Sequence, residues 1–160
     1  MPKISAIIHA NNDEHRLGRT LETLRACDEV VVVDHGSNDH TREVAREYGA
    51  SVIPGVMGVH RGTYVADLKN DWVLCLRPSE SLSESLEASL LEWKNNELDG
   101  DCPNGYCMAV RQETPSGWRT QPAELRLVNR SRINWTEELP SSVDCASSTL
   151  AGEILRFSEP

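Results

Sequence analysis

Apolar residues in the first hundred positions fall into short blocks, separated by polar stretches with a different rhythm. Residues 4–8 (Ile-Ser-Ala-Ile-Ile) form a β-prone run of the kind a buried strand needs. Asn11, Asn12 and Asp13 then supply helix-start chemistry, and Leu17, Leu21 and Leu24 recur at helical spacing. Residues 29–33 contain the consecutive valines 30–33, which suit a parallel strand covered on both faces. The polar turn 34–39 leads into a predicted helix over 41–48, with Val44, Ala45 and Tyr48 on one face and Gly49 as its stop. A third short strand is predicted over 51–53 and a weakly patterned helix over 59–68. Residues 72–76 read as a fourth strand. A long helix is predicted over 81–95, carrying Leu82, Leu86, Leu90 and Trp93.

Strands alternating with helices imply right-handed crossovers and a mainly parallel sheet, which makes this half α/β. An acidic loop follows over 95–104. Beyond it, 106–111, 125–128 and 133–135 read as strands without intervening helices. Residues 136–160 are Ser-rich and read as an irregular tail. The expected organisation is one domain with three parts: an α/β half over 1–97, a shorter mixed part over 105–135, and the tail.

Composition narrows the partners. The chain has 160 residues, enough apolar material for one core, and no apolar run near the ~20 residues that cross a bilayer. Its N-terminus lacks the h-region of a signal peptide. With 16 basic and 25 acidic residues the net charge is −9, which argues against nucleic acid or an anionic membrane as partner. A phosphate-bearing ligand would need a local arrangement of cations. The five cysteines include no C-x-x-C, so a reducing cytoplasm is expected rather than a disulfide framework or a zinc site.

Ligands of open parallel sheets bind beyond the carboxyl ends of the strands. His9 to Asn12, Asp34 to Gly36 and Arg77 to Glu80 are therefore predicted to converge on one edge. There Asp34 can accept a hydrogen bond from a nucleobase imide or a ribose hydroxyl, or it can cap the following turn; spacing leaves both open. Ser37 and Asp39, in Ser-x-Asp-x-Thr, read as helix capping. His9 and His35 would be neighbours if both strands are central, and read as hydrogen-bonded structural groups rather than metal ligands. Cys102 and Cys107 match no common metal motif, and the four tryptophans read as core or cleft packing.

Several of these segments together resemble a known family. Residues 4–8 with Asn12-Asp13-Glu14, the turn Val31-Val32-Val33-Asp34-His35-Gly36-Ser37-Asn38-Asp39-His40-Thr41, and Arg46-Glu47-Tyr48-Gly49-Ala50-Ser51-Val52 look like the opening of family 2 glycosyltransferases. The branch most similar contains lipopolysaccharide-core glucosyltransferases. Arg61, Asn70-Asp71-Trp72-Val73-Leu74-Cys75-Leu76 and Glu124-Leu125-Arg126-Leu127 extend the match. The resemblance implies a GT-A fold: a mainly parallel, Rossmann-like nucleotide-binding half and a shorter mixed C-terminal part. It also implies a nucleotide-diphospho-sugar donor, a UDP-sugar among the candidates, held by Ala10, Asn11, Asn12, Asp34, His35, Arg61 and Arg77. In the family the fourth strand runs into Asp-x-Asp, whose carboxylates hold Mg²⁺ or Mn²⁺ against the diphosphate, and an acceptor-side carboxylate takes the acceptor's proton.

At that point the sequence departs from the pattern. Arg77-Pro78-Ser79 stands where Asp-x-Asp is expected, with Glu80 just after it, so the metal ligands are lost and no metal-binding residues are assigned. Pro122 takes a position where the related branch tends to carry Asp, leaving Glu124 as the nearest carboxylate for the base, and Gly62 replaces an Asn. Three readings stay open. One is a glycosyltransferase-like domain that has lost its metal site and works as a nucleotide-sugar binder or as a non-catalytic protein-interaction module. Another is a metal-independent inverting glycosyltransferase using Arg77, helped by Arg61 or His60, on the diphosphate. The last is a different nucleotide-dependent α/β domain. A second subunit or protein partner could complete the strands after residue 105.

Overall fold

The structure, a computed structural model, describes residues 2–96, 103–135, 139–140 and 147–158. In chain order the elements are β1 (Ile4–Ala10), α1 (Leu17–Glu22), β2 (Glu29–Asp34), α2 (Thr41–Glu47), β3 (Ser51–Pro54), a 3-10 helix (Arg61–Asp67) and β4 (Trp72–Leu76). Then come β5 (Glu80–Leu82), α3 (Glu84–Asn95), β6 (Gly105–Thr114), β7 (Gly117–Asn129), a 3-10 turn (Arg130–Arg132) and β8 (Ser147–Arg156). The strands form a single mixed sheet in the order β3-β2-β1-β4-β7-β6-β8-β5. The four strands of the α/β half are parallel, as their alternation with helices predicts. β7 enters antiparallel beside β4 and ends that regime.

Side chains alternate across a strand, and both faces of the central strands are buried here. Ile4, Ala6 and Ile8 of β1, with Val32, Leu74 and Leu76, pack under Leu17, Leu21, Leu86 and Leu90 of the helices. Ile7, Val31, Val33, Val73 and Cys75 point the other way, onto Tyr64, Val65 and Leu68 of the 3-10 region. That double coverage is why these strands read as continuous apolar runs. Among the described residues no helix is long and apolar enough to cross a membrane, and Cys27 and Cys75 are free thiols. Cys102 and Cys145 lie outside the described residues.

Four expectations need correction. The strands predicted over 106–111 and 125–128 are the inner ends of a long β6–β7 hairpin, closed at Thr114-Pro115-Ser116-Gly117 with Gly117 at φ +121°. Residues 133–135 form no strand of their own; Trp135 makes an isolated bridge to Pro140. The irregular tail predicted over 136–160 contains β8, which lies between β6 and β5. The helix predicted from residue 81 begins at Glu84, because the Ser83 hydroxyl caps it by accepting from Leu86 N (3.1 Å), while Glu80, Ser81 and Leu82 pair with β8. Gly152 makes that pairing possible: its φ is +101°, and a Cβ there would sit 2.4 Å from Leu86 N.

Candidate functional site

The loops after β1 and β2 are laced to one another. Asn12, at φ +54°, donates its backbone N–H to Ser37 Oγ (2.9 Å) and accepts from Asn38 N (2.8 Å) through its side chain. Asp13 N donates to Thr41 Oγ1 (2.8 Å), and Glu14 N to Asp39 Oδ2 (3.2 Å). Asp39 Oδ1 accepts from Thr41 N (2.9 Å) at the start of α2, whereas Ser37, expected to cap the helix, bonds to Asn12 and Asp34 instead. Asp34 belongs to the same scaffold. It is buried, accepts from Ser37 Oγ and N, and pairs with Arg42 Nη1 at 3.0 Å.

Beyond these laced loops, at the carboxyl ends of β1, β2 and β4, lies a cavity of about 460 Å³. Its wall includes Ala10, Asn11, His35, Arg61 and Arg77 of the predicted donor set. His9 and His35 stack there, with ring centroids 5.1 Å apart and Nδ1 of His9 2.8 Å from Nε2 of His35, and Tyr64 sits edge-on to both. Sequence reasoning misses the rest of the wall: Arg16 from the start of α1, Gln112 from β6, and Arg156 and Phe157 at the end of β8. Among the described residues of this wall, four are arginines, and the single carboxylate, Asp13, is paired with Arg16 at 2.6 Å. A chain of net charge −9 thus presents a locally cationic cavity.

Two members of the predicted set are placed elsewhere. Asp34 stands behind the wall, and Asn12 lines an adjoining cavity of about 640 Å³ instead.

The turn 77–80 decides the electrostatics. The Thr20 hydroxyl of α1 lies 2.5 Å from the Glu80 carbonyl and 2.9 Å from the Pro78 carbonyl, which fixes the turn against the helix. Glu80 then folds inward rather than toward the cavity, and its side chain is completely buried. Its Oε1 accepts from Arg77 N (2.9 Å) and Arg126 Nη1 (2.6 Å); its Oε2 accepts from Arg126 Nη2 (2.8 Å) and Arg156 Nε (3.0 Å). A carboxylate offers about four lone-pair positions, and these four donors occupy them. A divalent cation binds through carboxylate oxygens with lone pairs to give, so the residues of this turn do not fit one. Burial pushes the Glu80 carboxyl pKa up, but Arg126, the Arg77 N–H and Arg156 outweigh it, and the net shift is downward.

Glu124 closes the cluster. Its carboxylate accepts from Arg126 Nη2 (3.0 Å) and Arg156 Nη2 (2.8 Å), and it is not part of the cavity wall. Desolvation raises its pKa, and the two arginines more than reverse that. The residue expected as the base is thus engaged by two guanidiniums in this structure.

The chain's similarity to known proteins agrees with this geometry. Residues 5–63 match the model of the family described as Glycosyl transferase family 2. An uncharacterized glycosyltransferase of Rickettsia typhi is 37% identical over 91 residues, covering 54% of this chain and 31% of the relative. A lipopolysaccharide core biosynthesis glycosyltransferase of Rhizobium meliloti is 42% identical over 50 residues, covering 30% of this chain and 18% of the relative. Over these segments the chain is similar to glycosyltransferase family 2. It spans about a third of the length of the first curated relatives it matches. In fold it is similar to S. aureus TarS (TM-score 0.66, 15% identity, 97% of this chain and 60% of that one). It is likewise similar to the glucosyl-3-phosphoglycerate synthase of Mycobacterium tuberculosis solved with Mn²⁺, UDP and phosphoglyceric acid (TM-score 0.63, 16% identity, 99% of this chain and 72% of that one). The GT-A fold expected from the resemblance is thereby shown.

Proposed function

We propose that this domain binds a nucleotide-diphospho-sugar in the β1–β2–β4 cavity, and that arginines rather than a divalent cation meet the charge of the diphosphate. The observation that carries the reading is the turn after β4: Arg77 lines the cavity while Glu80 is turned inward and saturated. A guanidinium presents planar, bidentate N–H groups that match phosphate oxygens. Ala10, Asn11 and His35 supply the neighbouring wall for the nucleoside, and Arg61 adds a second cation. At about 460 Å³ the cavity has the size of small-ligand sites. The mycobacterial neighbour's complex with UDP supports a nucleotide diphosphate as the ligand class to try first.

A thermal-shift panel of nucleotides and nucleotide sugars in EDTA tests the proposal. At a hundredfold excess over Kd, a bound nucleotide sugar adds about 2.7 kcal/mol, several degrees of melting temperature for a domain of this size. Arg77→Ala is expected to abolish the rise. A panel in which no nucleotide shifts the wild-type melt, with a protein partner recovered instead, would replace this reading with the interaction-module one.

A further inference from the structure

In a metal-using site, one ion offsets the charge of its carboxylate ligands and of the diphosphate together. Here those two tasks fall on different arginines. We propose that the partly buried cluster Glu80–Arg126–Glu124–Arg156 is a charge-balanced support that turns Arg156 into a direct phosphate-binding residue of the cavity. This deepens the nucleotide-sugar reading and rests on it.

Three observations carry the inference. First, the cluster holds two carboxylates and two guanidiniums, joined by ion pairs of 2.6 to 3.0 Å, so it is neutral as a unit. Second, Arg156 reaches it from β8 through Nε and Nη2, and makes no hydrogen bond through Nη1 among the described residues. Third, Arg156 is a residue of the cavity wall, with its side chain 20% exposed, whereas Arg126 is fully buried. Five N–H groups in a rigid fork allow Arg156 to hold Glu80 and Glu124 with one edge and still offer Nη1 to a phosphate oxygen. Arg126, chelating Glu80 with both Nη atoms, fixes the carboxylate against which Arg156 is set. Arg126 is therefore a positioning residue.

The arrangement makes a prediction that packing alone does not. Removing Arg156 deletes a phosphate donor and leaves the cluster with one surplus negative charge beside the cavity wall. Neutralising Glu124 as well removes that surplus without restoring the donor.

Isothermal titration of UDP in EDTA, on the wild type, Arg156→Gln and the double variant Arg156→Gln/Glu124→Gln, separates the cases. Loss of a charge-assisted hydrogen bond and gain of a repulsion should weaken Arg156→Gln by at least about tenfold. The double variant should then recover part of that loss. Arg156→Lys, which keeps the charge but not the fork, should also bind more weakly, and it serves if Arg156→Gln does not fold. Wild-type affinity in Arg156→Gln or Arg156→Lys would overturn the inference while leaving the nucleotide reading intact, as would a double variant no better than the single one. Wild-type protein that does not bind UDP would overturn both.

Discussion

Arg126 grips Glu80 with two parallel hydrogen bonds, Nη1 to Oε1 at 2.6 Å and Nη2 to Oε2 at 2.8 Å, and both side chains are completely buried. A buried ion pair of this kind adds little net stability over a well-packed apolar pair, because desolvating both ions offsets their attraction. Breaking it from one side is different, since the remaining charge is stranded away from water. Arg126→Met is expected to lose about 3–5 kcal/mol in urea denaturation. Arg126→Met combined with Glu80→Gln should lie closer to the wild type than the single change, because no uncompensated charge remains.

The same pair sets an acid limit. Glu80 and Glu124 both have carboxyl pKa values below the ordinary value of 4.5, because their arginines outweigh desolvation. A group whose pKa is lower in the folded state stabilises the fold above its unfolded pKa, and that stability is lost as pH falls through the folded value. The wild type should therefore exceed Glu80→Gln in stability at neutral pH, and the gap should close as pH drops below about 4.5. Denaturant midpoints measured down the pH scale check this. A gap that widens in acid would contradict the assignment.

Asp34 offers a sharper test of scaffold against ligand contact. It is held by Ser37 and Arg42 behind the cavity wall. Asp34→Asn should lower the melting temperature by loosening the β2 turn. UDP affinity should change by less than the tenfold, about 1.4 kcal/mol, that loss of a direct charge-assisted contact brings. A tenfold or larger loss of affinity with an unchanged melt would place Asp34 on the nucleotide.

Gly152 couples the last strand to α3. Its φ of +101°, and the 2.4 Å that would separate a Cβ at this position from Leu86 N, leave no room for a side chain. Gly152→Ala should destabilise the fold by about 1–3 kcal/mol from backbone strain, with more from the clash. Because β8 carries Arg156, UDP binding should weaken in parallel, and calorimetric titration beside a urea melt checks both effects.

What is legible in the sequence depends on burial and on the distance between partners. β1, β2 and β4 are buried on both faces, so the valine run and its neighbours announce them directly. Their carboxyl ends place Ala10, Asn11, His35 and Arg77 on one edge by topology alone. The family resemblance finds the missing Asp-x-Asp, yet not where Glu80 goes, because its partners lie 46 and 76 residues away. β8 reads as tail because Ser147, Ser148 and Gly152 blur its alternation, although Leu150 and Ile154 keep it. Without β8, Arg156 and Phe157 drop out of the site. Asp34 shows the opposite limit: its position matches a ligand contact, and its partners Ser37 and Arg42 give it another task.

The most direct test is the affinity of the wild-type protein for UDP-glucose, titrated calorimetrically once in EDTA and once in Mn²⁺. Arginine-held diphosphate predicts binding in EDTA with a Kd that Mn²⁺ does not tighten. Binding that appears in Mn²⁺ alone would contradict the account, because it would require a carboxylate that Arg126 and Arg156 already hold.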